Sequence, residues 1–129
     1  ALALPGARVA IAEPEGWDDM ARSLDLGEIV PVGPHPPATS CDALMTLRVS
    51  PLTFGVLRDR GVKGVAISEN ETRAAMRFAR DMLDLTLEPG GAVGLAALLS
   101  GKVAPAERTL VLLSGGNVEP AVFAEKMSG

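Results

Sequence analysis

The residues in this 129-residue sequence best placed to do chemistry are Ser114, Gly115, Gly116 and Asn117. They close an apolar run, residues 110–113, that carries no polar interruption and reads as a strand buried on both faces. A small hydroxyl is thereby set at the carboxyl edge of a sheet, where open α/β folds hold their ligands. The two glycines let the backbone take positive φ and let another group approach closely. Read alone, Ser-Gly-Gly-Asn is also a good plain turn.

Other chemically able side chains are isolated. Glu88 precedes Pro89-Gly90-Gly91 and reads as a strand-end carboxylate with backbone donors to bond. Asp18 and Asp19 fall in the first turn of an expected helix, where the helix dipole favours negative charge. His35 stands among prolines with no second histidine or cysteine nearby. Cys41 has no adjacent base and reads as a small half-buried residue; as the single cysteine it excludes an internal disulfide and a cysteine-rich metal site. Lys63, Lys102 and Lys126 read as solvated amines in loops or the last helix. Neither a Gly-x-Ser-x-Gly elbow nor a Gly-x-Gly-x-x-Gly dinucleotide loop occurs.

The elements that must position these groups alternate. Residues 8–12 form a short strand, stopped by Pro14, and residues 17–26 a helix ended by Gly27. Residues 28–39 hold four prolines and make an extended loop; residues 40–49 read as a short helix that breaks down near Pro51. A helix over 52–60, capped by Ser50, leads to a strand at 65–67. Ser68 and Glu71 form a capping box for a helix reaching about Asp84. Its apolar side carries Ala75, Met76, Ala79, Met82 and Leu83, with Glu69/Arg73 and Arg77/Asp81 as i,i+4 pairs. Residues 92–99 are apolar all round and form a buried helix, and a last short helix spans about 119–127. Strands alternating with helices imply an α/β fold, a parallel sheet covered on both faces.

Composition narrows the class. A content of 47% hydrophobic and 22% charged residues is that of a soluble globular domain, and the core must be aliphatic and alanine-rich because there are three Phe, one Trp and no Tyr. A net charge of −4 with scattered Lys and Arg argues against a nucleic-acid surface. No apolar run approaches the roughly 18 residues that span a bilayer, and no secretory signal is visible, so a cytoplasmic location and no membrane partner are expected. The opening Ala-Leu-Ala-Leu-Pro-Gly resembles the last turn of a helix, which makes a fragment the expectation.

Four segments then stand in a fixed order: Glu13-Pro14 with Asp18 and Asp19, Thr53-Phe54, Glu88-Pro89-Gly90-Gly91-Ala92-Val93, and Ser114-Gly115-Gly116-Asn117. Over essentially the whole chain, this order resembles the C-terminal part of the threonine dehydratase and serine racemase family. Those are pyridoxal 5'-phosphate enzymes of fold type II, the tryptophan-synthase-β-like fold. The resemblance implies that residues 1–129 are the C-terminal portion of the large cofactor-binding domain, an incomplete piece of an open, mostly parallel sheet with helices on both faces.

The resemblance places Ser114 against the pyridine nitrogen of the cofactor, where a neutral hydroxyl favours elimination over transamination. Gly115, Gly116 and Asn117 then shape the edge for a flat ring, and Glu88 lies near the cofactor's face. Glu13, Asp19 and the carbonyl of Trp17 match positions that bind a divalent cation in many members, and hard oxygen ligands suit Mg²⁺, Ca²⁺ or Mn²⁺. Thr39 and Asp42 match a Thr-x-x-Asp segment in which Cys41 and Ala43 replace a small residue and a glycine. The family's Schiff-base lysine and glycine-rich phosphate loop have no counterpart here, and residues 1–4 match the end of the helix that follows that loop.

The implied activity is that of a dehydratase, or ammonia-lyase, taking a β-hydroxy amino acid to a 2-oxo acid and ammonia. This chain alone is expected to be inactive, its partners being the missing N-terminal part, a small amino acid and, when intact, further copies. A racemase of the same family and a non-catalytic ligand-binding or regulatory α/β module are the alternatives.

Overall fold

Two short parallel strands lie at the centre. In the computed structural model, which describes residues 6–118, 121, 123 and 124, β1 (Ala10–Pro14) pairs with β2 (Lys63–Ile67) in a register that sets Ala10 beside Lys63 and Pro14 beside Ile67. Lys63 therefore begins a strand and does not lie in a loop. β-Branched and small residues suit this doubly covered position. Alternation along β1 sends Ile11 to one face, against Met20 and Phe54, and Ala12 to the other, against the larger core.

The first face is covered by α1 (Asp19–Leu26) and α2 (Pro51–Asp59). α1 starts two residues later than its apolar spacing suggests. Trp17 stays outside it, and its indole donates from Nε1 to the Pro37 carbonyl at 2.8 Å. Gly27 ends α1 in the left-handed region, its N–H donating to the Ser23 carbonyl. Pro51 opens α2 as expected, whereas the hydroxyl of Ser50 makes no capping bond.

The second face is covered by α3 (Glu69–Leu83) and α4 (Pro89–Leu99). The capping box is present in full: Ser68 Oγ accepts from the Glu71 N–H at 3.3 Å, and Ser68 N–H donates to Glu71 Oε2 at 2.7 Å. Ala75, Met76 and Ala79 are buried as expected, together with Thr72, but Met82 is 69% exposed and Leu83 also faces out. Glu69 bonds Thr39 and Ser40 across the fold, and Arg73 donates to Asn70 instead of forming the expected ion pair. α4 begins at Pro89, three residues before its apolar run, because proline is pre-organised for the first helical position. Its buried small residues pack on β1, β2 and α3.

Two elements differ from expectation. Residues 40–49 form only a 3₁₀ turn, Asp42–Leu44, since Asp42 Oδ1 takes the Ala43 N–H locally and Glu69 takes the polar groups of Thr39 and Ser40. Residues 110–113 form no strand and pair with neither β1 nor β2. Val111 and Leu113 pack onto the core while Leu110 and Leu112 are 94% and 80% exposed. The run is thus buried on one face and open on the other. Of the expected last helix, Ala121, Phe123 and Ala124 are helical; its other residues, Lys126 included, and residues 1–4 lie outside the described residues. No helix among the described residues is long and apolar enough to cross a membrane.

Candidate functional site

Four of the expected site residues, Glu88, Ser114, Gly115 and Gly116, gather at the entrance to α4. Glu88 is its N-cap residue, with extended backbone and no side-chain capping bond. Its N–H donates to the carbonyl of Gly115 at 3.2 Å, which ties residues 114–116 to the helix entrance. The contact is closer still one turn in. A Cβ built on Gly91 would overlap the Ser114 carbonyl oxygen, so the main chain at Ser114 passes where a side chain would otherwise stand. Gly115 has φ +76°, and a Cβ there would run into the Glu88 carboxylate. A Cβ on Gly116 would lie 2.8 Å from the Thr86 carbonyl. Ser114, Gly115, Gly116 and Asn117 are all exposed. The arrangement is a close-packed backbone cradle, in which the glycines admit neighbouring main chain and the half-buried Glu88 carboxylate while Ser114 stays exposed at its rim.

The wall beside Gly90 was not foreseen from the sequence. The 3₁₀ turn brings Leu44 Cγ and Ala43 Cβ to 3.5 and 3.7 Å from where a Gly90 Cβ would be. The Thr-x-x-Asp pattern at Thr39 and Asp42 marked the segment, but nothing local indicated that it abuts α4.

Glu13, Trp17 and Asp19 also come together, around the start of α1. The Glu13 carboxylate accepts from Ala21 N–H at 2.8 Å and from Met20 N–H at 3.3 Å, satisfying two of the free donors at that helix end. Asp19 is fully buried, and neither of its carboxylate oxygens has a hydrogen-bond partner among the described residues. Burial pushes the Glu13 carboxyl up to about 7 despite those two donors, with the nearby Asp19 and Asp18 charges adding to the rise. Burial raises Asp19 as well, outweighing the backbone N–H groups of Asp19 and Val49, which lie near its carboxylate without forming well-aligned bonds, and the Arg22 charge. Two desolvated carboxyl groups near one another resist being ionised together, and the upward shift of both is the result. Among the described residues no group of three or more His, Cys, Asp or Glu side chains could hold a metal, so a carbonyl such as that of Trp17 must complete any ligand set.

The remaining candidates are placed elsewhere. Thr53 lines an open cleft of about 450 Å³ with Glu13, Arg48 and Ser50, while Phe54 is buried beneath it under the Arg58 guanidinium. Cys41 is fully buried and burial raises its thiol pKa, so it is held neutral. Lys63 pairs with Asp25 at 3.2 Å. Lys102 donates to the Ala66 carbonyl and to Glu71 Oε2, both at 2.7 Å, tying the end of α4 to the end of β2 and the start of α3. Its ammonium is thereby engaged in the fold.

This geometry has close counterparts. The profile of the family described as pyridoxal-phosphate dependent enzyme matches residues 1–115. Serine racemase of Dictyostelium discoideum is 34% identical over 118 residues, covering 89% of this chain and 36% of that protein. Phenylserine dehydratase of Ralstonia pickettii is 36% identical over 128 residues, covering 98% and 39%. The crystal structure of a threonine deaminase from T.th. superposes with a TM-score of 0.81 at 36% identity, over 89% of this chain and 42% of that one. The chain thus spans well under half the length of the proteins it matches. The shared architecture is the tryptophan-synthase-β-like fold.

Proposed function

Because this chain belongs to the family of pyridoxal-phosphate dependent enzymes, we propose that residues 1–129 form the C-terminal portion of the large cofactor-binding domain of a β-eliminating lyase. Its substrate is a β-hydroxy amino acid, released as a 2-oxo acid and ammonia. The relatives' names support that class, since they include a phenylserine dehydratase and L-threo-3-hydroxyaspartate ammonia-lyases. The observation that carries the reading is the backbone cradle itself: Ser114 and Gly115 rest on Glu88 and Gly91 at the mouth of α4, with every member of the Ser-Gly-Gly-Asn segment open to a ligand.

The residues present fit the cofactor. When bound, pyridoxal phosphate supplies an electron sink for the substrate's α-carbon. Ser114 would offer its hydroxyl to the ring nitrogen, a neutral partner that leaves that nitrogen less firmly protonated than a carboxylate would. Gly115, Gly116 and Asn117 would line the ring edge, and Glu88 its hydroxyl side. The lysine that carries the cofactor and the phosphate loop would come from the rest of the enzyme, so this chain alone would be inactive.

The residues around Glu13 fit a hard cation, since the buried Asp19 carboxylate has no well-aligned hydrogen bond among the described residues. Glu13, Asp19 and the Trp17 carbonyl would hold Mg²⁺, Ca²⁺ or Mn²⁺ and neutralise that charge. An amino-acid racemase is the second reading, favoured by the several relatives named serine racemase.

The test is to add pyridoxal phosphate to the purified chain with and without the N-terminal part of the enzyme, reduce with borohydride and locate the label by mass. Only the assembled pair should take up one cofactor and release ammonia from a β-hydroxy amino acid. Racemisation without ammonia would select the second reading. A single stoichiometric adduct on Lys63, Lys102 or Lys126 of the chain alone would overturn the proposal.

A further inference from the structure

Glu69 opens α3, yet its carboxylate serves a distant segment and not its own helix. Oε1 accepts from Thr39 Oγ1 at 2.7 Å and from the Ser40 N–H at 2.9 Å, and Oε2 accepts from Ser40 Oγ at 2.7 Å. Three donors converge on one carboxylate. Burial by itself would raise its pKa; the donors, with the Arg73 charge adding to them, outweigh that and hold the group ionised, below the ordinary glutamate value. Packing does not do the same work, because Glu69 borders a cavity of about 400 Å³ together with Glu15, Gly16, Pro37 and Ala38.

From this clamp a chain of contacts leads to the cradle. Thr39 Oγ1 accepts from the Cys41 N–H at 3.1 Å, and Cys41 is fully buried among α3 and α4 residues. The Leu44 N–H donates to the Cys41 carbonyl at 2.9 Å and the Met45 N–H to the Asp42 carbonyl at 3.2 Å, closing the 3₁₀ turn. Ala43 and Leu44 then stand against Gly90. Gly90 lies between Glu88 and Gly91, the two residues on which Ser114 and Gly115 rest.

We infer that Glu69 is a positioning residue for the candidate cofactor site: by clamping Thr39 and Ser40 it holds the turn Asp42–Leu44 as a wall against the first turn of α4. The inference rests on the reading of that site given above. Glu69 touches neither cofactor nor substrate. Its effect passes through hydrogen bonds that a Glu69→Gln side chain can largely keep, as Gln retains one acceptor oxygen and a serine hydroxyl can turn to accept from its amide.

The experiment uses the assembled enzyme and two readouts, cofactor dissociation by fluorescence titration and amide hydrogen exchange. Glu69→Ala should raise the pyridoxal phosphate dissociation constant about tenfold, the scale on which second-layer hydrogen bonds act on a bound group. Exchange should quicken at residues 40–45 and also at 90–91. Glu69→Gln should restore most of both. Thr39→Val, which leaves the carboxylate in place, should move both readouts in the same direction and serves if Glu69→Ala fails to fold. Faster exchange confined to residues 39–41, with cofactor affinity unchanged, would overturn the inference. If the unaltered enzyme itself took up no cofactor, the site reading would fall and this role with it, and the failure would be recognisable because it precedes any substitution.

Discussion

Gly91 faces the main-chain carbonyl of Ser114 so closely that a methyl group on Gly91 would overlap it, whereas Gly90, one residue earlier, has ordinary van der Waals space. This difference separates two glycines that look equivalent in Glu88-Pro89-Gly90-Gly91. Gly91→Ala should therefore destabilise by about 1–3 kcal/mol, as overpacking does, and displace residues 114–116. Gly90→Ala should be neutral or stabilise by up to about 1 kcal/mol through helix propensity. Urea unfolding of both variants checks the pair; equal effects would show that Ser114 does not dock there.

Asp19 predicts a reversal of sign with cation. Its carboxylate is buried with no hydrogen bond of ordinary geometry among the described residues. Burial outweighs the backbone groups of Asp19 and Val49 and the Arg22 charge that favour its ionised form. In chelator, Asp19→Asn should therefore leave stability unchanged or raise it, because a poorly compensated buried charge is removed. With millimolar Mg²⁺ or Mn²⁺ the unaltered protein should gain thermal stability and the variant should not. Equal thermal shifts in the two proteins would refute cation binding at this carboxylate.

Glu13 sets a pH dependence. Its folded pKa is about 7 against an ordinary 4.5, so in the intermediate range the folded state holds a proton that the unfolded state has lost. The contribution to stability is complete below about pH 4.5 and is lost as pH rises through about 7. Chelator-treated Glu13→Gln should lose this falling limb, measured as the midpoint of urea unfolding from pH 4 to 8. A profile in the variant parallel to the original would sink the assignment.

The capping box gives the fourth expectation. Ser68→Ala removes the acceptor for the Glu71 N–H and one hydroxyl donor to Glu71 Oε2, which keeps the backbone N–H of residue 68 and the Lys102 ammonium. A loss of about 1 kcal/mol, within the usual range for an N-cap, should appear in urea unfolding. Lys102→Met should cost less, since its pair with Glu71 is partly exposed.

Much of the architecture was legible because it depends on partners a few residues apart. Ser68 and Glu71 announce the start of α3, Gly27 the end of α1, and Pro51 the first turn of α2, each through a bond or a dihedral internal to one turn, whereas the start of α4 lies three residues before the apolar run that announced it. Glu88 and Ser114-Gly115-Gly116 were singled out in the sequence, and they are neighbours in the structure. Their mutual fit was not legible, because it is one main chain passing another.

The sequence by itself determined the start of α3, the end of α1, the order of helices and strands from β1 to α4, and which short segments are free of bulky side chains. Those follow from local sterics and from donors and acceptors within one turn. Only the tertiary structure decided that Glu69 bonds Thr39 and Ser40 rather than Arg73, that Asp19 is sealed away while Asp18 is not, and that residues 110–113 cover one face and expose the other. A carboxylate takes whichever donors packing presents to it, and an apolar run is buried only as far as other elements reach it. Both depend on surfaces brought together from distant parts of the chain.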